Sequence, residues 1–380
     1  MNKFKLFLVV FLVWVVIFSI GLVLFNYRVD PNYRYSIHTI RPKLKKLAES
    51  NNLVLRTPTN FNDRVLIENY MEYVSKPRVC VLGGSYVLNF HPEMLTFIDR
   101  SEFLNLGVTA GNINDYIAIW QLIKDYKKMP DIVIVCVEFQ SLCSSQATNW
   151  ISLQNYYSRF FNRQEPILSC LLKIQLNLKD LLSLETTIKS FRAMFFLKKT
   201  QGFEVVKECD VYSVSENTGG KTRSFSTVYP KRIYEIDENA LESDALCISV
   251  GATNAWRHWA PANNTEFQKL EKLLRDIKEV GSVPVLVLMP YHPTVFQAIS
   301  RDNGSYEKMI VFRNKLLQIV KRENAYFYDA MLKYRDKYPR KLFMDGVHLS
   351  LEGSKIFMRD VIDKNKIQQI LLDRGRNHNK

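Results

Sequence analysis

The chain has 380 residues, 47% of them hydrophobic, with only 14 glycines and 13 prolines. This composition excludes a disordered or collagen-like chain and is enough for one large domain with an insertion, or for two domains. A formal net charge of +14 would point to nucleic acid in a cytosolic protein, but no helix-turn-helix, zinc-finger or RNA-recognition signature goes with it, so nucleic acid is not an expected partner.

The first element is a membrane segment. After MNKFK, Leu6 to Phe25 form 20 residues without a charge, the length that crosses a hydrocarbon core of about 30 Å. A cleaved signal has a shorter apolar core and a small-residue cleavage site, whereas this run ends in Asn26, Tyr27 and Arg28. The expectation is a cytoplasmic tail over 1–5, a permanent single-pass anchor over 6–26, and the bulk of the chain on the periplasmic or extracellular side of the cytoplasmic membrane. Charge counting alone runs the other way. Lys3 and Lys5 precede the span, while Arg28, Arg34, Arg41, Lys43, Lys45 and Lys46 follow it. Several of these lie about 15 to 20 residues beyond the span, at the limit of the positive-inside rule, and the expected chemistry decides for the N-in orientation. RPKLKK (41–46) suits the anionic lipid surface beside the anchor, or is a solvated helix face.

Residues 27–75 read as a stalk and entry segment, beginning with the interface-like NYRVDPNYRY. Strands and helices then alternate. RVCVLGG (78–84) is a short apolar run closed by glycines, FLNLGV (103–108) is a second, Asn114 to Lys127 has helical spacing, and DIVIVCVEF (131–139) is a Val/Ile-rich strand. Residues 145–262 break the pattern with helical runs (ILSCLLKIQLNLKDLL) and a polar stretch from Val211 to Thr227. They read as a largely helical insertion placed to cap a crevice. The alternation resumes with the amphipathic EFQKLEKLLRDIKEVG, the strand SVPVLVLMP (282–290), a helix over 306–323 and AYFYDA (325–330). Residues 76–144 and 263–370 are thus two parts of one α/β domain, followed by a basic tail over 371–380. Apolar strands separated by helices predict a three-layer sandwich around a central, mostly parallel sheet. The crevice of such sheets lies at the carboxyl ends of the strands, where Ser85 falls.

A serine nucleophile needs a base and a group that orients the base. Of the histidines, His348 stands in LFMDGVHLSLEGSKIF (342–357), three residues after Asp345, a spacing that lets the carboxylate fix the imidazole tautomer while the other ring nitrogen faces Ser85. An oxyanion needs preorganised N–H donors. The loop NLGVTAGNINDY (105–116) offers Gly107, Gly111, Asn112 and Asn114; the alternative is a tight turn with an Asn helix cap. His292, in MPYHP, is either a substrate contact or a turn histidine held between Pro290 and Pro293. His258, with Arg257 between Trp256 and Trp259, is either a sugar- and anion-binding group or part of a structural cluster. The six cysteines (Cys80, Cys136, Cys143, Cys170, Cys209, Cys247) include no CxxC pair, so no zinc or other cofactor is expected. Cys80 and Cys136 read as core residues.

The set Gly83-Gly84-Ser85, Gly111, and Asp345 with His348, in this order, resembles the SGNH (GDSL-like) hydrolase superfamily over about 78–140 and 265–360. More narrowly, the anchor, the NYRVDP stalk, the LGxS strand end, the NLGVTAGNI loop and the MPYHP turn are similar to the membrane-anchored bacterial envelope branch, the DltD-like and alginate O-acetylation-like proteins. The resemblance implies Ser85 as nucleophile, His348 as general base and then acid, Asp345 as its orienting group, and backbone N–H groups of Ser85 and Gly111 at the oxyanion, with Asn112 as a further donor. Asn114, His292 and Glu138 are candidate substrate contacts. It implies esterase or O-acyltransferase chemistry on an envelope polysaccharide and, as a partner, a multispanning membrane acyltransferase. Two departures stand out. The family's third block places an asparagine after the third strand, where this chain has CVEFQSLCSS with Glu138 and Gln140, and the first block is GGSY in place of GDS. They keep a second reading open, a catalytically inactive glycan-binding or scaffold protein of a biosynthetic complex.

Overall fold

The computed structural model describes residues 3–30, 40–49, 53–57, 62–143, 149–162, 166–195, 204–207, 221–224, 227–229, 238–260, 265–333 and 340–378. Helix α1 (Lys3–Val29) comes first, and its mean hydropathy of 3.1 makes it long and apolar enough to cross a membrane. The domain is built on five parallel strands, β1 (Val79–Leu82), β2 (Phe103–Asn105), β3 (Ile132–Val137), β4 (Val283–Leu288) and β5 (Tyr326–Asp329). Their spatial order is β2-β1-β3-β4-β5. Helix α2 (Ile113–Asp125) joins β2 to β3. The insertion contributes α3 (Pro166–Leu181), α4 (Leu184–Phe195) and α5 (Glu238–His258), and α6 (Thr265–Glu279), α7 (Pro293–Arg301), α8 (Asn303–Glu323) and α9 (Leu351–Lys364) follow.

The runs of valine and isoleucine become strands because both faces of the sheet are covered. Every residue of β1 and β3 is buried. Alternate side chains enter opposite cores, as the two-residue strand period requires. Cys80, Val133, Val135 and Leu286 pack with α2, α6 and α8 through Ile117, Leu270 and Phe312. Val81, Ile134, Cys136 and Val287 pack with α9 through Phe357 and Val361. Because all five strands run parallel, their carboxyl ends lie on one edge. The expected elements are present with shifted ends: the second strand closes early, at Asn105, whereas the helix expected from 306 begins earlier, at Asn303, and is preceded by α7.

The described parts of the 27–75 stalk and entry segment pack onto the rest of the chain. Leu53–Thr57 lies in a second, four-stranded antiparallel sheet, paired with Glu204–Lys207 and Lys221–Ser224 of the insertion, with Thr227–Tyr229 at its edge. Helices Arg41–Ala48 and Asp63–Tyr70 bury Leu44, Leu47, Leu66 and Ile67 in the core. The RPKLKK motif is the first of these helices, with Leu44 facing inward and Arg41, Lys45 and Lys46 facing solvent. The basic tail is helical from Ile367 to His378, and Leu371 is buried. The DPNY part of the stalk beyond Asp30, Cys209 and most of the polar stretch from Val211 lie outside the described residues.

Candidate functional site

The site grows out of the β1 turn. Gly83 and Gly84 end the strand, and Ser85 opens a single 3-10 turn, Ser85–Val87. Both glycines are needed for packing. A Cβ on Gly83 would stand 2.7 Å from Val87 Cγ1, and one on Gly84 would stand 2.6 Å from Glu138 Oε1. The first N–H groups of such a turn have no partner inside it, so the turn's own bonds do not use the Ser85 amide.

Ser85 Oγ lies 2.7 Å from His348 Nε2, and His348 Nδ1 lies 2.6 Å from Asp345 Oδ2. The other carboxylate oxygen, Oδ1, accepts from the backbone N–H groups of Val347 at 2.8 Å and His348 at 2.6 Å. Burial alone would push the Asp345 carboxyl up, but the hydrogen bonds from the His348 ring and from these amides outweigh it and hold the group below its ordinary value. Asp345 is therefore an acceptor, which favours the His348 tautomer that donates from Nδ1 and leaves Nε2 to accept from Ser85. Residues 263 positions apart in the chain thus form a serine–imidazole–carboxylate series, an arrangement that suits a serine nucleophile with its base and orienting group.

The loop bearing His348 is locally closed. Phe343 and Leu349 form a β-bridge, and Ser350 N–H donates to Leu342 O at 2.9 Å. Asn89, four residues after Ser85, donates through Nδ2 to Leu349 O at 2.6 Å. Tyr86 packs against the imidazole with ring centroids 5.2 Å apart. Neither Asn89 nor Tyr86 stands out in the sequence, because a single buried Asn after a strand carries no periodicity.

The loop after β2 meets the Ser85 turn as expected, but its parts are used differently. Val108 N–H donates to Gly83 O at 3.0 Å, and Asn105 ties the two loops, donating to Val87 O at 2.7 Å and accepting from Gly107 N–H at 2.9 Å. A Cβ on Gly111 would stand 3.1 Å from Gly83 O and from Gly84 Cα, so only glycine permits this approach. The Gly111 N–H, however, donates to Val108 O at 3.2 Å and closes a turn. Asn112 caps α2: its Oδ1 accepts from Asn114 N–H at 2.9 Å and Asp115 N–H at 3.3 Å, and its own N–H donates to Asp115 Oδ2. Asn114 accepts from Lys269 of α6 at 2.9 Å. These three residues build the loop; the cap reading accounts for Asn112.

Arg64, also invisible to pattern reading, is buried beneath this loop. It makes a two-pronged pair with Asp115, Nε to Oδ1 at 2.8 Å and Nη2 to Oδ2 at 2.9 Å, and donates to Thr109 O at 2.9 Å. The next residue, Ala110, is held at φ +49°, left-handed backbone that costs an L-residue about 1 kcal/mol.

No protein-family model and no curated protein matches this chain. The functional reading therefore rests on the geometry of the site.

Glu138 occupies the place after β3. It is only 5% exposed, with Oε2 lacking a hydrogen-bond partner and Oε1 beside Gly84. Burial pushes its carboxyl up to about 8, against a lowering contribution from its own backbone N–H, so it is a neutral acid at pH 7. Tyr86, Tyr116, Tyr291 and Cys136 surround it, all with pKa values raised by burial.

His292 sits one loop away. It is fully buried, caps α7 by accepting at Nδ1 from Thr294 N–H at 3.2 Å, and lies edge-on to Phe343. Its backbone N–H donates to Gly346 O at 3.2 Å, so it supports the Asp345–His348 turn from behind. Ile248 of α5 touches the same turn: a Cβ on Gly346 would stand 2.9 Å from Ile248 Cβ. Trp256 and Trp259 are core residues packed around Phe139 and Phe312 in tilted and edge-on contacts, Arg257 pairs with Asp302, and His258 is exposed. This is the structural cluster, and its Phe139 directly follows Glu138. Among the described residues, no group of three metal-ligating side chains comes together, and Cys80, Cys136, Cys143 and Cys247 are free thiols.

Proposed function

We propose that this chain is a membrane-anchored serine esterase or O-acyltransferase of the SGNH type that modifies an envelope polysaccharide through an acyl-serine intermediate. The observation that carries the reading is the Ser85–His348–Asp345 series, with contacts of 2.7 and 2.6 Å. The sheet order β2-β1-β3-β4-β5 is the flavodoxin-like order, and it supports the SGNH sandwich by putting Ser85 at a carboxyl edge.

In this reading Ser85 Oγ attacks the acyl carbonyl while His348 Nε2 takes the hydroxyl proton. Asp345 holds the Nδ1–H and stabilises the imidazolium. The tetrahedral oxyanion accepts from the Ser85 N–H, and the neutral Glu138 carboxyl is the second donor, standing where the SGNH pattern has asparagine. Collapse breaks the bond to the leaving alkoxide, which takes the proton from His348. A sugar hydroxyl or water then gives its proton to His348 and attacks the acyl-serine, and the returning proton regenerates Ser85.

The chemistry belongs outside the cytoplasm, so α1 is the anchor, N-in, with the domain on the far side. A multispanning membrane acyltransferase that brings the acyl group across is the fitting partner. The test is labelling of the full-length protein in membranes by a fluorophosphonate. Labelling that disappears in Ser85→Ala supports the reading, and an unlabelled wild type overturns it. One observation favours a second reading, an inactive glycan-binding scaffold: the Gly111 amide is bonded within its own loop. That reading expects no labelling and no phenotype for Ser85→Ala.

A further inference from the structure

Helices α3 and α4 form a hairpin that packs on the last turns of α1. Asn26 of α1 is buried there and donates through Nδ2 to Leu181 O at 2.6 Å and to Thr187 Oγ1 at 3.0 Å. Phe25 stacks on Phe191 with centroids 5.0 Å apart. The covered face of α1 starts at Ser19, continues through Leu22 and Val23, and reaches Asn26, whereas Phe4 to Phe18 are exposed. At 1.5 Å per residue the shared stretch is about 10 Å deep. Ser19 to Phe25 belong to the uncharged run, so whatever packs on them sits at the depth of the hydrocarbon.

The hairpin is inside out relative to a helix in water. Among the described residues, those buried on α4 are small and polar, Thr186, Thr187 and Ser190, and on α3 Leu181 is buried at the turn beside Asn26. The hairpin's exposed stripes are large and apolar: Leu171, Ile174 and Leu178 on α3, and Ile188, Phe191 and Phe195 on α4, each between 43% and 63% exposed. These spacings of three, four and seven residues form one face on each helix. Water-soluble helices bury such faces. Helices in lipid place small Ser and Thr residues at their contacts and turn large side chains outward. With 16 and 12 residues, the helices fall short of the roughly 20 needed to span, so they reach into one leaflet only. Lys179 and Arg192, both exposed, have stems long enough to bring their charges up to the headgroups.

We infer that the α3–α4 hairpin is inserted into the bilayer leaflet on the domain's side, along the last turns of α1, as a second, monotopic membrane contact. The inference rests on α1 being the anchor. A spanning helix alone lets a domain swivel; a helix plus an inserted hairpin fixes the domain's height and tilt above the membrane.

The full-length protein in nanodiscs, one copy per disc, made of phosphatidylcholine and phosphatidylglycerol with a diazirine-tailed phospholipid, tests this. Photolysis followed by peptide mapping should place lipid adducts on α1 and on 171–195. The double variant Ile188→Glu/Phe191→Glu should lose the adducts on α4 and keep those on α1. Adducts on α1 with none on 171–195 overturn the inference and leave the anchor standing. Adducts on neither overturn both. If the same lipid introduced into native membranes labels α1 while 171–195 cross-links only to protein, a protein partner covers this face and the lipid assignment is overturned.

Discussion

Asn89 Nδ2 lies 2.6 Å from Leu349 O, joining the turn that carries Ser85 to the loop that carries His348. The two ends of the hydrogen bond are four residues from Ser85 and one from His348. It is buried, so its loss leaves a carbonyl without a donor in a dry setting, at a cost of about 1–3 kcal/mol. Asn89→Ala should lower the thermal midpoint and should also slow fluorophosphonate labelling of the fraction that remains folded. A normal labelling rate in the folded fraction would mean that Asn89 has no part in positioning His348.

Asp345 sets the tautomer of His348. Both of its oxygens accept, from the His348 ring and from two amides. In Asp345→Asn, either the amide nitrogen meets these donors or the oxygen serves the backbone and the nitrogen faces Nδ1, which then keeps its lone pair while Nε2 bears the proton. Ser85 would lose its base. Labelling should fall by about 10²- to 10⁴-fold with the fold intact. Because its native pKa is depressed, the stability from Asp345 is present above its unfolded pKa and fades as pH falls through the folded value. The stability advantage of the wild type over Asp345→Asn should thus shrink as pH falls, and the variant should show the shallower acid dependence, checked by fluorescence-monitored denaturation between pH 2 and 5.

How much of the molecule could be read from the chain divides along physical lines. The parallel sheet is legible because β1, β3 and β4 are buried on both faces, which forces runs such as IVIVCV to be wholly apolar. Ser85 is legible because it is polar at the end of such a strand, and Asp345 and His348 because they stand three residues apart just before the last helices. Asn105, Asn89 and Arg64 are not, since a buried polar residue is recognised only by the partner it meets from far along the chain. The small antiparallel sheet pairs Leu53–Thr57 with residues about 150 positions later, and a five-residue strand has no signal of its own against that separation. The hairpin over 166–195 has an ordinary amphipathic pattern, and only its neighbours show that the face is inverted.

Arg64 underlies the whole β2–α2 loop. Its side chain is 3% exposed and that of Asp115 0%, so removing one partner strands a charge in the interior. Arg64→Ala should destabilise by about 3–5 kcal/mol. Arg64→Lys keeps the charge but loses the second prong to Asp115 and the contact to Thr109 O, and should be intermediate. Chemical denaturation in detergent measures both. An unchanged midpoint in Arg64→Ala would show that the pair contributes nothing net.

Glu138 gives the sharpest pH signature. Burial raises its carboxyl from 4.5 to about 8, so the folded protein keeps a proton that the unfolded chain releases near 4.5. Stability should therefore fall as pH rises from 4.5 towards 8 and level off above, and Glu138→Gln should remove that slope. The neighbouring Tyr86, Tyr116, Tyr291 and Cys136 stay neutral through this window because burial raises them all. If the neutral carboxyl donates to the oxyanion, wild-type labelling slows as pH passes about 8, and Glu138→Gln, whose amide donates at every pH, loses that alkaline decline. Glu138→Ala should label slowly throughout, by about 10²- to 10³-fold if the donor matters as oxyanion donors usually do. A Glu138→Ala protein that labels like the wild type across the range would leave the carboxyl as buried filling beside Gly84, and the second donor would have to come from a rearranged Gly111 loop.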